Sequence, residues 1–276
     1  MKFTIDLKKS VSGNARFYYE ESKKARRKAE GAKKALEETL RKIKELEKEH
    51  EISNAKTGKK KKVLKEKRWY EKFRWFFSSD KFLVVGGKDA TTNEILVKKH
   101  VEKNDLVFHA EIHGAPFFII KNPENQEIPE RTKEETAQMA AAYSSAWKSG
   151  IGSCDVYYVR PEQVSKKAPS GEYVARGAFM IHGKKEWFRG VRLEIAVGFK
   201  IDGEGVVIAG PEGAVIQNSD YHAKIGVGDE KSGEISKKIK EFILKTARKE
   251  DIEKIKRIEL QEIQKFIPSG KGRIIG

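Results

Sequence analysis

A chain of 276 residues with 57 Lys and Arg against 41 Asp and Glu has a formal net charge of +16, and charged residues make up 36% of it, well above the ~25% of an average soluble protein. Its one cysteine, Cys154, excludes an intramolecular disulfide framework and fits a reducing compartment. No run approaches the roughly 18 apolar residues of a membrane span, and Met1-Lys2-Phe3 opens no signal-peptide core, so the expected location is cytoplasmic.

The excess charge is uneven. Residues 1–67 hold 22 Lys+Arg and 11 Asp+Glu, a net +11, and the rest of the chain carries +5. Concentrated positive charge is the footprint of a polyanion binder, because each cation near a phosphate releases condensed counterions. The same charge would also serve a solubilising surface.

Residues 14–50 contain no proline and one glycine, Gly31. Ala15, Ser22, Ala29, Leu36 and Ile43 recur every seven residues, and Tyr18, Ala25, Ala32, Thr39 and Leu46 form a second such series. This heptad seam predicts a helix about 55 Å long that cannot bury its stripe alone. Asn54 to Gly58 reads as a turn. A second helix is expected from Lys59 to Phe73, with Val63, Lys67, Tyr70 and Phe73 facing the first. Residues 1–67 would then form an antiparallel coiled-coil hairpin, an arm that could also self-associate.

A compact domain is expected over residues 68–200. Phe82–Val85, Leu106–Ile112, Pro116–Lys121, Asp155–Val159, Ala178–Ile181 and Arg192–Phe199 read as strands. Residues 92–101 read as a helix capped by Thr91 or Thr92, and Lys133–Trp147 as a helix capped by Thr132. This mixed order defines an α+β fold. Residues 201–276 read as a small α/β extension: strands at Val206–Gly210 and Ala223–Val227, a helix over Ser232–Arg248, and a shorter one over Glu259–Ile267 that stops at Pro268.

Several groups could carry chemistry. His109, Glu111 and His113 alternate, so a continuous strand would aim them at one face. Two imidazoles and a carboxylate are metal-ligand types, which raises a metal-dependent nucleic-acid enzyme as one alternative. Against a metal, the two histidines would stand ~13 Å apart on an extended strand. They are equally a polar or buried strand face, or imidazoles facing a nucleic acid. Lys59, Lys60, Lys61 and Lys62 cluster at the expected hairpin bend. Trp69, Tyr70, Phe73, Trp75, Phe76 and Phe77 follow closely. Such a dense run reads as core with one ring exposed, although aromatics beside cations also stack on unpaired bases. The backbone amides of Gly86-Gly87-Lys88-Asp89 could hold a phosphate or form a plain tight turn. Arg160, Lys166, Lys167, Lys184 and Lys185, with Arg176 nearby, sit on expected loops. No nucleophile elbow or Ser/His/Asp order is visible, so no catalytic residue, metal or cofactor is expected.

The segment from Arg74 to Asn122, RWFFSSDKFLVVGGKDATTNEILVKKHVEKNDLVFHAEIHGAPFFIIKN, resembles the NFACT-R domain of the NFACT family. Ser144-Ser145-Ala146-Trp147, Gln163-Val164-Ser165-Lys166, Ala168-Pro169-Ser170-Gly171-Glu172-Tyr173 and Gly177-Ala178-Phe179-Met180-Ile181 extend the resemblance. Asn14-Ala15-Arg16-Phe17-Tyr18-Tyr19 is similar to the start of the family's coiled-coil arm, and the tail from Pro268 to Arg273 to the ending of archaeal members. No segment matches the family's NFACT-N region, which is missing here or supplied by another chain. The resemblance implies an RNA-binding module, not an enzyme, of a ribosome-associated quality-control factor. It would contact rRNA and tRNA on a large ribosomal subunit carrying a stalled nascent chain. It also makes Lys59, Lys60, Lys61, Lys62, Arg74, Lys88, His109, His113, Arg160, Lys166, Lys167, Lys184 and Lys185 the candidate RNA contacts. Some bacterial members bear a fibronectin-binding label, which keeps an adhesion or protein-interaction module as the other alternative.

Overall fold

The computed structural model describes residues 4–6, 8–57, 68–167, 174–203 and 205–276. The chain divides into two compact units, Met1–Glu66 and Lys67–Gly276.

The first unit is built on α1 (Val11–Thr57), about 70 Å of continuous helix. Its start is fixed by side chains, as orphan amides at a helix N-terminus require. Ser10 Oγ accepts from Gly13 N (3.1 Å), Asn14 Oδ1 accepts from Asp6 N (2.9 Å), and Asn14 Nδ2 donates to the Asp6 carbonyl (3.0 Å). Helix α1 is longer than its heptad series implied. It runs through Asn54–Thr57, the residues read as a turn, because nothing before Gly58 breaks the helical hydrogen bonding. Leu36 on the seam is exposed, as is Leu40 beside it.

The expected return helix is corrected at its end. Residues 68–73 are not its last turns: Arg68 is extended, Trp69–Lys72 is a single 3-10 turn, and Phe73 is extended. Tyr70 and Phe73 are drawn into the core of a sheet. The portion Lys59–Lys67 lies outside the described residues.

The second unit opens with β1 (Arg74–Phe77), β2 (Leu83–Gly86), α2 (Ala90–His100), β3 (Leu106–Ala110) and β4 (Phe117–Ile120). Helices α3 (Glu130–Ala142) and α4 (Ser145–Lys148) precede β5 (Ser153–Val159). A two-strand ribbon, β6 (Val164–Ser165) with β7 (Met180–Ile181), leads to β8 (Glu186–Arg192) and β9 (Glu194–Lys200). The remainder is β10 (Val206–Gly210), α5 (Glu212–Asn218), β11 (Tyr221–Lys231), α6 (Ser232–Thr246), α7 (Ile252–Arg257), α8 (Leu260–Gln264) and β12 (Lys271–Ile274). The fold is α+β.

Six strands form one antiparallel sheet in the order β1-β2-β4-β3-β5-β8, and four form a second in the order β10-β9-β11-β12. Period-two alternation sorts the first sheet into two apolar faces. One face, with Phe76, Val84, Phe108, Phe118 and Val156, meets Ala137, Ala140 and Ala141 of α3 and the inner residues of the second sheet. The other, with Val85, Val107, Phe117, Ile119 and Tyr157, packs against Tyr70, Phe73 and Leu96 of α2.

The boundary expected at residue 200 does not separate two bodies. Strand β9 ends there, and both its sheet neighbours, β10 and β11, come from beyond it. Leu193, Ile195, Val197 and Phe199 share one core with Ile225, Ile235, Ile239 and Ile243. Residues 201–276 therefore complete the domain.

Candidate nucleic-acid interface

The turn after β2 is built by sterics. A Cβ on Gly86 would fall 2.3 Å from the Phe118 ring, and one on Gly87 would fall 1.8 Å from Asn93 Oδ1. The turn's amides are committed to the protein. Gly87 N donates to the Phe117 carbonyl (3.0 Å), and Lys88 N and Asp89 N donate to Thr92 Oγ1 (2.8 and 2.9 Å). Asp89 is the N-cap of α2 and Thr92 closes the capping box. Of the two readings of this segment, the amide cradle is the one the structure does not support: Gly86-Gly87-Lys88-Asp89 is a tight turn whose amides bond within the protein.

Two cationic side chains at this turn are Arg74 and Lys88. The Arg74 guanidinium donates to the Gly87 carbonyl and lies 4.4 Å above the Tyr143 ring, a cation–π contact that fixes its plane. Tyr143 OH in turn donates to the Phe266 carbonyl (2.7 Å), and burial pushes the phenol up to about 12. Desolvation lowers the Arg74 pKa. The Lys88 pKa is lowered by partial desolvation first and then by the field of Arg74, with a further contribution from Lys265. Positive charges crowd here, and the Lys265 ammonium is shared with Glu262 (2.6 Å).

A second group crosses the sheet. Phe117, His109, Tyr157 and Trp187 are register neighbours on β4, β3, β5 and β8. Their rings touch in sequence, at centroid distances of 4.3 Å (Phe117–His109), 6.0 Å (His109–Tyr157) and 5.3 Å (Tyr157–Trp187). Cations cover this row. Lys185 Nζ lies 4.1 Å from the Tyr157 centroid and Arg189 lies 4.0 Å from that of Trp187. Lys166 Nζ lies 4.8 Å from the ring of Phe179, which packs edge-on against Phe117. Each cation also has a carboxylate partner: Lys185 with Glu111 (3.2 Å), Arg189 with Asp155 (2.6 Å) and Lys166 with Glu94 (2.8 Å).

The histidine reading changes. Strand β3 ends at Ala110, so Glu111 and His113 fall in the following turn and do not share a strand face with His109. His109 is half-buried, its Nδ1–H donating to the Pro116 carbonyl (3.3 Å), and burial pushes its pKa down to about 4. It therefore stands at this surface as a neutral imidazole. His113 is exposed, and its carbonyl accepts from Ser145 Oγ (2.5 Å). Among the described residues, no group of three or more His, Cys, Asp or Glu is placed to hold a metal ion.

Arg160 and Lys184 lie elsewhere, around a cavity of about 540 Å³ with Lys133, Tyr158 and Ile128. Lys167 is exposed beyond β6. Lys59, Lys60, Lys61 and Lys62 lie outside the described residues. The candidates thus form no single pocket. Arg74, Gly86, Phe118, Phe108, Tyr158 and Glu186 make one register row from edge to edge of the sheet. That row lies on the face covered by α3, where Phe108 and Phe118 are fully buried, whereas Phe117, His109, Tyr157 and Trp187 lie on the opposite face with α2. The Arg74–Lys88 group and the aromatic row thus belong to two faces of the sheet.

Sequence reasoning missed Tyr157, Trp187 and Arg189 in the aromatic row and Lys265 beside Lys88. The signal for two of them was the alternation of Trp187 and Arg189 in β8, hidden because Gly190 and the charged Glu186, Arg189 and Arg192 mask that strand's pattern.

Residues 72–183 match the NFACT protein RNA binding domain. The class this fold and surface define is accordingly an RNA-binding module. The chain is 44% identical over 184 residues to the archaeal Rqc2 homolog aRqcH of Methanocaldococcus jannaschii, covering 66% of this chain and 27% of that protein. It is 42% identical over 205 residues to the ribosome quality control complex subunit NEMF homolog of Drosophila melanogaster, covering 72% and 20%. It is 35% identical over 190 residues to ribosome quality control complex subunit 2 of Schizosaccharomyces pombe, covering 66% and 18%. The chain belongs to the NFACT family and is of the archaeal type. It spans about a quarter or less of the length of these relatives. A likeness to the C-terminal part of the fibronectin/fibrinogen-binding protein from Streptococcus suis, with a TM-score of 0.37 and 19% identity over 66% of this chain and 77% of that one, is too distant to bear on fold or function.

Proposed function

We propose that this chain is the RNA-contacting, non-enzymatic part of a ribosome quality-control factor. In this reading it binds rRNA or tRNA on the large ribosomal subunit in the cytoplasm. The observation that carries it is the coincidence of the RNA-binding match over 72–183 with a cation-covered aromatic row whose members come from four strands. The names of the Drosophila and Schizosaccharomyces relatives, ribosome quality control complex subunits, supply the ribosome. Arg74, Lys88, Lys166 and Lys185 contact phosphates through side chains, Arg160, Lys167 and Lys184 extend the footprint, and His113 is the exposed imidazole. His109 contributes a neutral ring. Lys59, Lys60, Lys61 and Lys62 add sequence-independent attraction.

Titrations of the full chain with tRNA, large-subunit rRNA fragments and duplex DNA test this. The structured RNAs should bind more tightly than the DNA duplex at equal salt. Changing Lys59, Lys60, Lys61 and Lys62 together to Ser should weaken all RNAs alike. Equal affinity for duplex DNA would reduce the reading to nonspecific polyanion binding.

A further inference from the structure

Trp69 and Phe77 are exposed aromatic rings of the second unit, at 40% and 37%. Both open on one cleft, which is also lined by Lys81, Lys99, His100 and Lys121. The cleft lies at the carboxy-terminal end of α2, one helix length (roughly 16 Å) from the Lys88 turn at its start. Trp69 already stacks on one partner: its ring lies 4.3 Å from His100, with 11° between planes. Edge contacts from Tyr70 (5.7 Å) and Phe73 (6.1 Å) brace it. An apolar ring this exposed on a braced mount is preorganised for another flat partner.

The charge around it selects the partner. The carboxylates lining the cleft are occupied: Asp80 accepts from Thr132 Oγ1 (2.7 Å), Glu102 pairs with Lys121 (3.1 Å), and Glu124 accepts from Gln126. Lys121 is held by Asp105 (2.5 Å). Among the described residues, Lys81 and Lys99 have no carboxylate within ion-pairing distance. Lys81 adopts φ +69, a conformation that glycine or asparagine takes at less cost. Two unpaired ammonium groups beside an exposed indole match a flat, phosphate-linked ligand. An acidic or purely apolar protein segment would use only one of the two features.

We propose that Trp69, backed by His100, is a stacking subsite for an unpaired base of single-stranded RNA, with Lys81 and Lys99 on its flanking phosphates. This rests on the RNA-binding reading above and adds that the bound RNA is unpaired at this end of α2. A paired base offers no free face, so duplex RNA gains nothing here.

The test titrates the full chain with single-stranded oligoadenylate and with a blunt RNA duplex. Trp69→Ala should weaken oligoadenylate binding roughly 5- to 150-fold, leaving duplex affinity and the salt slope unchanged. Trp69→Phe should retain most of the affinity. Where Trp69→Ala does not fold, Trp69→Phe carries the test: oligoadenylate should quench wild-type tryptophan emission, and the Phe variant should lose the Trp69 share of that quench. Wild-type binding of oligoadenylate that is indifferent to Trp69→Ala, or an equal loss for duplex and single strand, overturns the subsite alone. The same holds if an apolar peptide, and no RNA, competes for Trp69. Failure of the wild-type chain to bind either RNA overturns the RNA-binding reading as well.

Discussion

Arg74 is held at two points, by the Gly87 carbonyl and the Tyr143 ring, and the extended planar guanidinium makes both contacts at once. Arg74→Lys keeps the charge and loses the plane. It should lower stability by about 1–2 kcal/mol in urea unfolding and weaken RNA binding several-fold with little change in salt slope. His109 makes the opposite kind of contribution. Its pKa lies below that of an unfolded histidine, at about 4, so the fold favours the neutral ring. Its share of stability is complete above pH ~6.5 and is lost as pH falls toward 4. His109→Gln should flatten that acid limb of the urea midpoint. A rise of RNA affinity between pH 7.5 and 6 is therefore not expected from His109.

At the scale of elements, helix α2 organises the surface. Glu94 on α2 receives Lys166 (2.8 Å), Lys98 (2.5 Å) and Gly177 N (2.8 Å), and these partners, Lys166 foremost, hold its carboxyl at about 2. Gly177, at φ +79, fits because a Cβ there would meet Ala90 Cα at 2.6 Å. Glu94→Gln should speed amide exchange at Gly177 and release Lys166. In the wild type the same protection persists above pH ~4.5 and is lost as pH falls toward 2, which exchange measured across that range would record. Helix α2 was legible in the sequence, although its cap is Asp89 and not a threonine. The helix expected over Lys133–Trp147 starts instead at Glu130, with Thr132 buried inside it, its hydroxyl donating to Asp80 Oδ2 (2.7 Å) and lying 2.9 Å from Ser78 Oγ. It breaks at Tyr143, where the next turn restarts on a Ser144 cap. Neither contact leaves a mark in local sequence.

At the scale of the whole molecule, the α+β class and most strands were legible because their apolar runs are bounded by glycine, proline and charged turns. The pairing was not. Strand β1 was concealed by an aromatic run that continued a helical pattern, and the join of residues 201–276 to the rest depends on β9 pairing far along the chain. A fragment of residues 68–276 should fold with dispersed methyl signals. Residues 68–200 alone should not: Leu193, Ile195, Val197 and Phe199 would lose their partners, at ~1.5–3 kcal/mol each, comparable to the ~5–15 kcal/mol stability of a domain.

The salt dependence of RNA affinity measures the central claim most directly. With about six phosphates neutralised by the cations of the arm and the sheet surface, log K for the full chain should fall against log salt with a slope of roughly −4 to −5. A slope near zero, or no RNA binding at low salt, would contradict it.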